Sequence, residues 1–145
     1  MKKILFVDHE YHKKTKSSDF LRKILKKNFI INDCWVDKRL KFNRDIFRYD
    51  NIFFHQIFPP LKILKKLKNK NITWSPMYDS PLHPTGYSWL LWQIVKFYNV
   101  KILSFSDAIT KQISNKNIKY FNIRYFEKSK QIKIKNDKKI KIFFW

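Results

Sequence analysis

A chain of 145 residues has the size of one domain, and 44% hydrophobic content argues against a disordered chain despite a formal net charge of +21. The single cysteine, Cys34, excludes an intrachain disulfide and a cysteine metal cluster, and it suits a reducing compartment. No apolar run approaches the ~20 residues of a membrane span, and Asp8, His9 and Glu10 cut the first run short of a signal peptide.

The charge has two readings. One is affinity for an anionic partner such as nucleic acid, anionic lipid or a phosphorylated substrate. The other is drift in base composition. Lys, Asn, Ile and Phe are all heavily used, their codons are A/T-rich, and Gly occurs once. The lysines are scattered rather than blocked, which favours drift, with attraction to an anionic membrane surface as a by-product.

In chain order, Ile4–Val7 is a continuous apolar run and reads as a strand covered on both faces. A polar loop over residues 12–18 should follow. Phe20, Leu21, Ile24 and Leu25 then recur at helical spacing, with Ser17 or Ser18 as N-cap and Asp19 in the first turn. Residues 29–36 form a second strand. Residues 37–48 are a connection or a short helix, and Ile52–Phe54 is the centre of a third strand ending at His55-Gln56. Pro59-Pro60 opens a helix whose buried face is Leu61, Ile63, Leu64 and Leu67.

Residues 71–77 are the fourth strand, and the prolines at 76, 81 and 84 keep the next segment extended and irregular. Residues 86–98 are apolar almost all round, from Tyr87, Trp89 and Leu90 to Phe97, and should form a deeply packed helix. A helix lying on a membrane is the rival reading. Residues 100–105 are a fifth strand, Ser106-Asp107 caps a short helix, and residues 118–123 are a sixth strand. Residues 127–139 read as a charged linker, and residues 140–145, IKIFFW, as the first strand of a further domain.

Strands that alternate with helices should run parallel with right-handed crossovers, so their exits share one edge of the sheet. The first exit offers Asp8, His9, His12, Lys16, Ser17 and Ser18. The third offers His55, the fourth Tyr78, Asp79 and His83, and the fifth Ser104, Ser106 and Asp107. This convergence is the case for a site. His9 can serve as a general base on a hydroxyl, oriented by a carboxylate such as Asp79. Lys16, Ser17 and Ser18 at a helix start can bind phosphate or sugar hydroxyls. The plainer alternatives are that His9 and His12 are solvated, Ser18 caps, His55 ends a strand, and Tyr78-Asp79 shapes a turn. Four histidines with nearby aspartates show no diagnostic ligand spacing, so no metal is expected. There is no GxGxxG, no P-loop, no serine elbow and no catalytic cysteine context.

ILFVDHEYHKKTKSSDF, YDNIFFHQ, ITWSPMYD, KILSFSDAITKQI, IKYFNIRYF and KIFFW, in that order, resemble the N-terminal half of a bacterial glycosyltransferase of the two-domain GT-B type. The resemblance covers essentially the whole chain. It implies a Rossmann-like α/β three-layer sandwich over residues 1–126, with a mostly parallel sheet of five or six strands. It implies a domain that holds the acceptor while a C-terminal domain, begun by residues 140–145, holds the nucleotide-sugar. His9 and Asp79 are then the catalytic candidates, and His12, Lys16, Ser17, Ser18, His55, Met77 and Tyr78 line the acceptor side. No cofactor is expected on this domain. Expected partners are a glycan or lipid-linked acceptor, an anionic membrane surface, and a C-terminal domain or partner chain. The expected location is cytoplasmic, peripheral on the inner membrane face, and the half alone should be inactive. KKILFVDHE and YDNIFFHQIFPP also echo a response-regulator receiver domain, but His55-Gln56 stands where the phosphoacceptor aspartate belongs and the late lysine-proline pair is missing. A basic nucleic-acid-binding domain is the third reading, without a groove-reading motif.

Overall fold

Ile4 to Val7, the apolar run near the start of the chain, lies in the interior of a six-stranded parallel sheet of order β2-β1-β3-β4-β5-β6. The computed structural model describes residues 1–76, 87–105, 107–114 and 116–123, with the side chains of Tyr87, Ser88 and Ala108 set aside. The strands are β1 (Lys2–His9), β2 (Phe29–Val36), β3 (Asn51–His55), β4 (Asn71–Ser75), β5 (Lys101–Ser104) and β6 (Tyr120–Asn122). The helices are α1 (Glu10–Thr15), α2 (Asp19–Lys26), α3 (Leu61–Lys66), α4 (Tyr87–Phe97) and α5 (Asp107–Ser114). The chain is therefore an α/β protein with a Rossmann-like arrangement, as its alternating pattern implies. No helix among the described residues is long and apolar enough to cross a membrane.

Side chains alternate across the strands, and the two faces are covered differently. Leu5, Val7, Ile52, Phe54, Ile72 and Ile102 pack with Leu64 of α3, Leu91, Trp92 and Val95 of α4, and Ile109 and Ile113 of α5. Ile4, Phe6, Phe53 and Leu103 point the other way and pack with Leu21 of α2. Right-handed crossovers account for the split. The connection from β1 to β2 runs one way along the sheet, and the connections from β3 onward run the other. The direction reverses between β1 and β3, which pair through Leu5–Ile52, Phe6–Phe53 and Val7–Phe54. In open parallel sheets such a reversal leaves a crevice at the carboxyl ends of the strands.

Three local expectations are corrected and one open choice is resolved. The polar loop over residues 12–18 is in part α1, because His9 accepts the Tyr11 N–H at 3.1 Å as N-cap and Lys16 closes the helix in a left-handed conformation (φ 57°). Leu61, expected on the buried face of α3, is exposed, while Leu64 and Leu67 carry the packing. The open choice at residues 37–48 resolves into a single 3-10 turn, Arg44–Arg48, capped by Asn43, whose side chain accepts the Asp45 N–H at 3.3 Å. α4 is not buried all round: Leu91, Trp92, Val95 and Tyr98 face the sheet, but Trp89 is 64% and Phe97 70% exposed. One sheet face can cover only one side of a helix. The linker at 127–139 and the strand at 140–145 lie outside the described residues.

Candidate functional site at the carboxyl edge

β1 ends in Asp8, whose side chain follows Phe6 onto the α2 face and is fully buried. A lone buried carboxylate is costly, and four donors surround this one. Oδ1 accepts the His9 N–H at 2.8 Å and faces His12 Nδ1 at 2.5 Å. Oδ2 accepts the Ser18 hydroxyl at 2.5 Å and Arg22 Nη2 at 3.1 Å. Each donor has a local reason to be there. His12 stands one helical turn after Asp8 on α1, and Ser18 and Arg22 stand one turn apart at the start of α2.

Arg22 is only 6% exposed, although it carries a permanent charge. Its guanidinium lies between two rings, 4.3 Å from the centroid of Phe6 and 4.3 Å from that of Trp35. Its Nε donates to Asp33 at 2.8 Å, and its Nη1 donates to Ser18. Register places these partners on one face: Phe6 pairs with Asp33 and Asp8 with Trp35 across β1 and β2. The guanidinium thus holds Asp8 from behind, and the Oδ1 atom looks toward the histidines.

His55 enters from the end of β3. It is 3% exposed, its ring centroid lies 5.5 Å from that of His12, and its Nδ1 has no hydrogen-bond partner among the described residues. Ser75, beside it in register on β4, has a buried hydroxyl in the same condition. Burial pushes the His55 pKa down from 6.5 to about 4, with Asp8 opposing the effect and coulombic interactions with His12 and Arg22 adding to it. At neutral pH its imidazole is uncharged. Immediately after it, Gln56 adopts a left-handed backbone (φ 58°), and its N–H donates to the Ser75 carbonyl at 2.7 Å. The chain turns sharply there, which aims β3 away after placing His55.

Asp8 Oδ1 accepting from His12 Nδ1 selects the tautomer with the proton on Nδ1 and makes Nε2 an acceptor. A carboxylate behind an imidazole is the arrangement that orients a general base. One ligand atom each from Asp8, His12 and His55 lie within 4.8 Å of one another.

The residues expected to form the site divide into four groups. His12, Ser18 and His55 join the cluster. Ser18 stands at the N-cap position of α2 yet makes no side-chain capping bond, because its hydroxyl is turned to Asp8. His9 borders the cluster, with its ring 6.5 Å from that of His12 and its Nδ1 engaged in capping α1. Lys16 and Ser17 are exposed and take no part; the Ser17 hydroxyl accepts from Thr15 at 3.0 Å. Met77, Tyr78, Asp79 and His83 lie outside the described residues. Arg22, Asp33, Trp35 and Ser75 were not anticipated. The signal for Arg22 was an arginine next to Leu21 on the apolar stripe of its helix; the others are strand residues without a local mark.

A cavity of about 510 Å³ opens at the opposite, amino edge of the sheet, lined by Lys2, Asn32, Arg48, Tyr49 and Asp50. It contains none of the buried acid–base groups.

Fold and site together define a class: a parallel α/β domain with a buried carboxylate–histidine cluster at the point where its strand order reverses. Comparison of the chain with protein-family models, with curated proteins and with solved structures finds no match.

Proposed function

We propose that the chain is the acceptor-holding half of a glycosyltransferase, which moves a sugar from a nucleotide-sugar to a hydroxyl of a glycan or lipid-linked acceptor. The observation that carries this reading is the Asp8–His12 contact of 2.5 Å at the crevice between β1 and β3. In a direct displacement, His12 Nε2 takes the proton of the acceptor hydroxyl as its oxygen bonds to the anomeric carbon. The nucleotide diphosphate leaves with the electron pair of the broken bond. His12 fits this role better than His9, whose Nδ1 is engaged by a backbone N–H. The negative charge on the diphosphate needs donors from elsewhere, which is the work assigned to a second domain.

Saturation-transfer NMR on the full chain tests the reading. Soluble oligosaccharides should bind, and His12→Asn should weaken or displace the contact. Binding of single-stranded nucleic acid that falls steeply across a salt series, with no oligosaccharide bound, would replace this reading with the nucleic-acid one.

Strand order favours one second reading. The first five strands run β2-β1-β3-β4-β5, the order shared by receiver domains. Against it, His55 occupies the phosphoacceptor position and is buried. Incubation with a small phosphodonor separates the two: a stable added phosphate on the chain favours the receiver reading, and none removes it.

A further inference from the structure

We propose that Asp8, His12 and His55 bind a divalent transition-metal ion of the zinc class. The inference does not depend on glycosyl transfer, and it makes His12 a ligand rather than a general base.

The donor set is the first argument. Two imidazoles and one carboxylate are borderline ligands that suit zinc, cobalt, nickel or copper, whereas magnesium and calcium prefer all-oxygen sites. One ligand atom from each of the three residues falls within 4.8 Å of the others. A tetrahedral ion with bonds of about 2.0–2.1 Å needs its ligand atoms roughly 3.3 Å apart, so small side-chain rotations close the site.

The second argument is independent. His55 Nδ1 is buried beside two other donors and has no partner among the described residues, and the Ser75 hydroxyl next to it on β4 has none. A buried polar atom left without a partner destabilises the fold, and such atoms call for a bound water or ion.

The third argument concerns movement. Asp8 Oδ1 and His12 Nδ1, at 2.5 Å, are too close for an ion between them and share a proton instead. The ion would displace that proton and part the two groups by about 1 Å. α1, which carries His12, has six residues and none buried, so it can shift at little packing cost. Asp8 is held by its other oxygen, through Ser18 and Arg22, and keeps its place. Arg22 opposes a cation, but its charge is shared with Asp33 at 2.8 Å. Three protein ligands leave one position for water or a substrate oxygen.

The test uses the full chain stripped with chelator. Calorimetric titration with zinc chloride should show one ion per chain and a raised Tm, and cobalt(II) should give visible bands of tetrahedral coordination. Magnesium and calcium should produce neither. His12→Gln, on an exposed-rim helix, and His55→Gln should each lower zinc affinity by at least about 10-fold. Lys26→Gln, exposed at the far end of α2, should leave it unchanged. Circular dichroism of each variant confirms folding, and His12→Gln keeps the test valid if His55→Gln unfolds. Absence of stoichiometric zinc binding by the parent chain, or undiminished affinity in folded His12→Gln, would overturn the inference. Retained acceptor binding without zinc binding would overturn it while leaving the glycosyl-transfer reading intact.

Discussion

The two faces of this sheet are built to different rules. Among the described residues, twenty buried ones from Leu5 to Ile118 form a single apolar cluster beneath three helices on one face. On the other, five described apolar residues are buried with α2, and the layer runs out at the carboxyl edge into Asp8, Arg22 and His55. The first face supplies burial, at about 25 cal/mol per Å² of apolar surface. The second spends part of that stability to keep charged and unpaired groups out of water. Three features sit on this poorer face at the strand-order reversal: a fully bonded carboxylate, a clamped guanidinium and an imidazole whose Nδ1 has no partner among the described residues. A chain optimised for stability alone would replace them with leucine or phenylalanine.

Mutations can break that contrast, beginning with the largest effect. Phe54 is fully buried in the larger cluster, so Phe54→Ala should cost about 3–5 kcal/mol in urea-induced unfolding. On the other face, acid should do what truncation does here. The folded His55 pKa lies near 4 and the unfolded value near 6.5, so the unfolded chain binds the proton first as pH falls. Stability contributed by neutral His55 is complete above pH 6.5 and is lost as pH drops toward 4, by at most about 3 kcal/mol. His55→Gln should flatten that slope, measured as unfolding free energy against pH; an unchanged slope would assign the acid sensitivity to other groups.

Asp8→Asn keeps the shape but weakens the bonds to Arg22 and His12, and should cost about 2 kcal/mol. If the cost is near zero, the cluster is not contributing to the fold. The smallest effect should come from the outer side of α4. Trp89 is exposed, so Trp89→Ser should shift stability by no more than about 0.5 kcal/mol.

The scaffold was readable because its signals are local. The apolar run Ile4–Val7, the β-branched residues of β2 and β3, and the Pro59-Pro60 start before α3 each state their element within a few residues. Failures occurred where local cues agree with more than one outcome. The EYHKKT segment has no apolar period, so only its caps mark it as a helix. Tyr87 to Phe97 is hydrophobic at most positions, so pattern alone does not say which side meets the sheet. The site was half legible. Asp8, His12, Ser18 and His55 were all placed at one edge, but Ser18 read equally well as a cap, and Arg22 was marked only by its place beside Leu21.

Alternation of apolar runs with amphipathic segments, each a matter of neighbours along the chain, was enough to determine a parallel α/β sheet with its polar tips on a common rim. Which tips touch was decided only in three dimensions. Residues 8 and 55 meet because β1 and β3 are adjacent in the sheet, and Arg22 reaches Asp8 because α2 crosses the face to which Phe6 and Trp35 point. Hydrogen bonds and ring contacts act over a few ångströms, so they depend on strand order and register, which no stretch of this sequence contains by itself.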